Sequence, residues 1–207
     1  MQFIYLFDPL CGWCYASSKG IGELARTHDI DVYATGLFAN TGKMIDAQFA
    51  HHAWSNNTRI NQLTGLPFSE NYRQLLLKGG EFNSFYLIVA CVLLKNSKPD
   101  ELLPVFSQLQ KMRYVHGLDT SRLAVVKNGL IALEQTDIAE KLENADSQKL
   151  ANDWIAQGQK LAYQFAINGV PSLIAKTDKG YVNIPSQFLY QDTENVAKNI
   201  EQFLSQI

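Results

Sequence analysis

The sequence predicts an α/β protein in which a β-α-β unit at the amino end and a β-β-α unit at the carboxyl end complete one sheet around a large all-helical insertion. Three observations carry this. Short aromatic and β-branched runs occur near both ends, apolar residues repeat with helical spacing through the middle, and Gly-Val-Pro-Ser at 169–172 marks the return to strand. The predicted boundaries are 1–39 and 166–207 for the sheet-forming unit and 40–165 for the insertion.

Residues 3–7, Phe-Ile-Tyr-Leu-Phe, read as a buried strand that stops at Asp8-Pro9, where proline removes a backbone donor. From Cys14 the pattern Tyr15, Ile21, Leu24, Ala25 has helical spacing and ends near the basic Arg26 and His28. Residues 30–35 read as a second strand. The windows 85–94, 102–114, 123–133 and 150–165 are helical, separated by the Gly- and Pro-rich stretches 64–67, 78–80 and 98–100. Residues 172–176 and 181–184 form a hairpin around Thr177-Asp178-Lys179-Gly180, and 192–207 an amphipathic helix with Val196, Ile200, Phe203 and Leu204 on one face.

A chain of 207 residues that is 46% hydrophobic and 18% charged has the material for one core. A net charge of -2 leaves no cationic excess to neutralise phosphates, so nucleic acid is not an expected partner. The apolar run 85–94 is about half the roughly 20 residues a membrane helix needs, so no membrane association is expected. Residues 1–7 carry no positive charge and lead directly to a cysteine motif, which leaves no room for a signal peptide and predicts a cytoplasmic protein. Three cysteines are too few for a disulfide framework, and in a reducing compartment a Cys-x-x-Cys is catalytic or metal-binding.

That motif is Cys11-Gly12-Trp13-Cys14, at the end of a strand and the start of a helix. Two cysteines so spaced can close a small disulfide, and unpaired backbone N–H groups at a helix amino terminus favour the thiolate of the first. Cys11 is therefore the expected attacking thiolate, the exposed one of the pair, and Cys14 the resolving thiol. Zinc would need two further ligands, and Cys91 sits in an apolar run with no neighbouring histidine, so no metal is expected there. His51, His52 and His116 complete no carboxylate or cysteine set. Phe82, Phe85 and Tyr86 are read either as core or as lining a substrate groove.

The strand, Asp8-Pro9-Leu10-Cys11-Gly12-Trp13-Cys14-Tyr15, the helical insertion and Gly169-Val170-Pro171-Ser172 together resemble the DsbA-like branch of the thioredoxin superfamily. More closely, the chain resembles its cytoplasmic members often called protein-disulfide isomerases. The resemblance spans nearly the whole chain and implies a thioredoxin-like fold, thiol–disulfide exchange with protein or peptide substrates, and no cofactor beyond the Cys11–Cys14 pair, with glutathione as a candidate reductant. It also implies a cis Val170–Pro171 peptide facing the cysteines and a Val170 backbone that pairs with bound peptide. The strongly oxidising relatives carry Pro-His between the cysteines; Gly12-Trp13 supplies no such cation, so modest oxidising power is expected.

Asp8, three residues before Cys11, either shapes the turn with Pro9 or accepts the Cys14 proton. Trp13 is expected to cover the sulfurs and offer substrate an apolar face. Two other functional classes stay open: a glutathione-dependent transferase or small-molecule isomerase of the kappa type, against which Cys14 weighs, and a non-catalytic binding module.

Overall fold

The computed structural model describes residues 1–206. A four-stranded sheet is built from β1 (Gln2–Phe7), β2 (Asp29–Ala34), β5 (Ser172–Thr177) and β6 (Gly180–Ile184), in the order β2-β1-β5-β6. β1 runs parallel to β2 and antiparallel to β5, in registers that set Leu6 opposite both Tyr33 and Ser172. The two ends of the chain thus share one sheet, as the sequence predicts.

The helices follow in chain order: α1 (Gly12–Ala25), α2 (Ala47–Thr64), α3 (Glu70–Lys78), α4 (Phe85–Ser97), α5 (Pro99–Tyr114), α6 (Leu123–Ala132), α7 (Thr136–Ala139), α8 (Ala145–Gln164) and α9 (Val196–Leu204). Among the described residues, none is long and apolar enough to cross a membrane. The stretch between β2 and α8 also contains a two-residue antiparallel ladder, β3 (Met44–Ile45) with β4 (Gly80–Glu81), too short to leave a periodic signal. The carboxyl-terminal helix starts later than residue 192 because a 3-10 turn, Thr193–Asn195, precedes it; Ile207 lies outside the described residues.

Central strand β1 is buried on both faces, which is why residues 3–7 read as a continuous apolar run. Phe7 meets the rings of Phe106 in α5 and Trp154 in α8, and the Trp154 indole N–H donates to the Val32 carbonyl at 3.1 Å. α1 is fixed on β1 through Ser17, whose hydroxyl lies 2.7 Å from the Tyr5 hydroxyl and donates to the Cys14 carbonyl at 3.0 Å. On its other flank Gly20 touches the Leu189 backbone so closely that a Cβ would overlap the Leu189 carbonyl. These contacts hold the amino end of α1 at the carboxyl ends of β1 and β2, where open α/β sheets carry their sites.

Candidate active site

Cys11 is the N-cap of α1 and Cys14 lies in its first turn, with the Cys14 and Tyr15 amides donating to the Cys11 carbonyl. Both are thiols. The order of exposure is the expected one, but Cys11 is more recessed than an exposed nucleophile: 8% against 0% for Cys14. Its thiol pKa is lowered, first by the Cys14 S–H donating to its sulfur, then by the backbone N–H groups of Cys14 and Trp13 at the helix terminus. Burial and the charge of Asp8 oppose this. Burial pushes the Cys14 thiol well above its ordinary value, and donation to Cys11 adds to it. One sulfur is arranged to ionise and the other to keep its proton.

Opposite the motif, the Val170–Pro171 peptide is cis, and the Val170 carbonyl lies 3.3 Å from Cys11 Sγ. Residues 159 apart in sequence thus meet because β5 pairs with β1. Val170 is half-buried, Pro171 is buried and Gly169 is exposed, so the rim beside Cys11 is backbone and small apolar surface.

Asp8 is fully buried. Its Oδ1 accepts the Leu10 amide at 2.9 Å, and its Oδ2 accepts the Phe38 amide at 3.1 Å and the Ser84 hydroxyl at 2.9 Å. The carboxylate therefore does shape the turn at Pro9, and it also ties that turn to the loop after β2 and to the start of α4. Desolvation raises its pKa to about 6 despite the hydrogen bonds that oppose it. Its charge is felt by Cys11, Cys14 and the buried Cys91.

Trp13 is half-buried and its ring is held from three sides. The indole N–H donates to Asn56 Oδ1 at 3.2 Å, the Tyr190 ring lies 5.2 Å away, and the Arg59 guanidinium sits 5.9 Å from the ring centroid. Gly12 passes so close to α2 that a Cβ would overlap Asn57 Oδ1; the Asn57 amide in turn donates to the Tyr72 hydroxyl at 3.0 Å. Below the motif, the Tyr114 hydroxyl donates to the Leu10 carbonyl at 2.9 Å and its ring stacks on Tyr15.

Sequence reasoning missed Ser84, Asn56, Asn57, Arg59, Tyr114 and Tyr190, because none carries a motif and all reach the site across tertiary contacts. Phe82 and Phe85 are core residues, Phe82 packing on Phe38 and Phe49 and facing the buried Arg113; Tyr86 is half-buried. His51, His52 and His116 are exposed, and among the described residues no three His, Cys, Asp or Glu side chains converge as a metal-binding group.

No family model matches the chain, and no curated protein matches it by sequence. Solved structures do match. The cytosolic disulfide reductase DsbM from Pseudomonas aeruginosa is similar over 100% of both chains, at 22% identity and a TM-score of 0.85. DsbM solved with GSH matches at 0.84 over 99% of this chain and 100% of that one, also at 22% identity. A candidate protein disulfide isomerase from Nitrosomonas europaea matches at 0.79, with 18% identity, over 99% of this chain and 98% of its own. A probable DsbA oxidoreductase from Streptomyces coelicolor matches at 0.63 and 14% identity, over 96% of this chain and 90% of its own. The chain has the DsbA-like form of the thioredoxin fold, with helices inserted between its two sheet-forming ends.

Proposed function

We propose that the protein is a thiol–disulfide oxidoreductase acting on protein or peptide disulfides through Cys11 and Cys14. One observation carries the reading: a lowered-pKa sulfur at a helix terminus, a buried protonated sulfur one turn inward, and the Val170 backbone carbonyl 3.3 Å from the first sulfur. The Cys11 thiolate attacks one sulfur of a substrate disulfide; the substrate S–S bond breaks and its other sulfur leaves as a thiolate that takes a proton from water. The Val170 backbone pairs with the substrate chain, and Trp13 covers the sulfurs. Cys14 then loses its proton and attacks Cys11 Sγ, expelling the second substrate sulfur and leaving the Cys11–Cys14 disulfide.

We assign Asp8 as the acceptor of the Cys14 proton, since a carboxylate held at about 6 is ionised at neutral pH yet basic enough to take it. Two thiols of the glutathione class return the pair to the dithiol, the first opening the Cys11–Cys14 bond to a mixed disulfide and the second releasing it as an oxidised dimer; that DsbM has been solved with GSH supports this choice, and its cytosolic setting supports a cytoplasmic one here. The burial of Cys14 directly behind Cys11 favours this over a transferase needing a single thiol.

The test is trapping by mass spectrometry. With oxidised glutathione, Cys14→Ser should accumulate a mixed disulfide at Cys11, and Cys11→Ser should lose roughly 100-fold or more in exchange rate. Wild-type turnover by Cys11→Ser, or no adduct on Cys14→Ser, would overturn the proposal.

A further inference from the structure

Helix α2 borders the motif and contains no acidic residue, its only one nearby being the capping Asp46 at its start. His52, Asn56 and Arg59, spaced by four and three, share the face that meets Trp13. Asn56 is committed to the indole N–H. Arg59 is exposed, lies over the indole ring, and has neither an ion-pair nor a hydrogen-bond partner among the described residues. The stack on Trp13, itself clamped by Tyr190 on another side, restrains the guanidinium without using any of its five N–H donors.

Of the other arginines, Arg122 is likewise unpaired among the described residues but lies over no ring near the motif, and the rest have acidic partners. Arg26 and Arg73 pair with Glu23 and Glu70 on their own helices, and Arg113 is buried against Asp119. A restrained cation with unused donors, one side chain from the nucleophile, is the arrangement that recognises a carboxylate bidentately.

We infer that Arg59 is a specificity-determining residue that selects disulfides bearing a carboxylate close to the reacting sulfur. This rests on the oxidoreductase reading and names its substrate class. The guanidinium holds the substrate's carboxylate while Cys11 attacks the sulfur, so its contribution falls mainly on KM for charged substrates and is weakened by salt.

The experiment compares three small disulfides: glutathione disulfide with its carboxylates, uncharged bis(2-hydroxyethyl) disulfide and cationic cystamine. Arg59→Met keeps an unbranched side chain of similar length and removes the charge. The second-order rate constant for oxidation of its Cys11–Cys14 dithiol by glutathione disulfide should fall roughly fivefold to tenfold more than that for hydroxyethyl disulfide. Arg59→Lys should recover part of that ratio, Arg59→Glu should move the preference toward cystamine, and raised salt should narrow the wild-type preference. Near-ultraviolet circular dichroism of Trp13 monitors the stack. An unchanged ratio in Arg59→Met, with wild type still exchanging all three, would overturn this inference and leave the oxidoreductase reading standing. If wild type exchanged none, both would fall.

Discussion

At the scale of single residues, Asp8 shows how a short motif can hide its own wiring. Its position three residues before Cys11 made it a candidate turn-former or proton acceptor, and the Leu10 amide bond is the local part of that. The other two donors, Phe38 and Ser84, lie 30 and 76 residues away and could not be read from the sequence. Burial raises the Asp8 pKa to about 6, so the native protein holds a proton on it that the unfolded chain, titrating near 3.9, has released. Stability linked to Asp8 is therefore fully present below the unfolded value and lost as pH rises through about 6. A shift of that size corresponds to about 3 kcal/mol. Urea unfolding of the wild type between pH 4 and 7 should show this decline, and Asp8→Asn should abolish it while slowing the step in which Cys14 resolves the mixed disulfide. Cys11 acts in the opposite sense, its lowered pKa adding stability only as pH rises through that pKa, so a Cys11→Ser background keeps the two apart. An unchanged pH slope in Asp8→Asn would show the carboxylate to be ionised throughout.

Among the elements, α1 was legible and α2 was not, for a physical reason. α1 buries seven residues, and its motif announces its start. α2 buries only Ala50, Asn57 and Ile60 over 18 residues, so its apolar stripe is faint even though its face completes the site. Gly12 is the point where the two meet. Alanine at the first position of a helix interior is ordinarily worth up to about 1 kcal/mol over glycine. Here the Cβ would strike Asn57 Oδ1 and crowd the Ile60 methyl at 3.2 Å, and overpacking costs about 1–3 kcal/mol. Gly12→Ala should consequently lower the urea midpoint and shift Trp13 fluorescence, because α2 carries Asn56 and Arg59 with it. A stabilised Gly12→Ala would show that Asn57 simply turns away.

For the whole molecule, the sequence revealed that the chain's two ends share a sheet, since hydrophobic runs and the Gly-Val-Pro turn are local signals. It did not reveal how the helices between them reach the sulfurs. They do so through Ser84 on Asp8, Tyr114 on the Leu10 carbonyl and Asn57 against Gly12, contacts set by packing rather than spacing. The Ser84 bond offers a test of this coupling. Hydrogen bonds to a charged group contribute about 1.5–3 kcal/mol, so a double-mutant cycle of Ser84→Ala with Asp8→Asn should give a coupling of that order at pH 8. The coupling should shrink near pH 5, where Asp8 is protonated in the folded protein. Equal coupling at both pH values would place the interaction outside the carboxylate's charge.

The depth of Cys11 carries a stereochemical consequence. Thiol–disulfide exchange proceeds with the three sulfurs in line, and a cysteine that is buried as a residue, with its sulfur 3.3 Å from the Val170 carbonyl, restricts the directions from which that line can be reached. On the proposed oxidoreductase reading, disulfides that project from loops or small peptides would be reached before those packed inside a folded domain. Accessibility of the target bond, more than its thermodynamic potential, would then decide which disulfides in a mixed population are opened first.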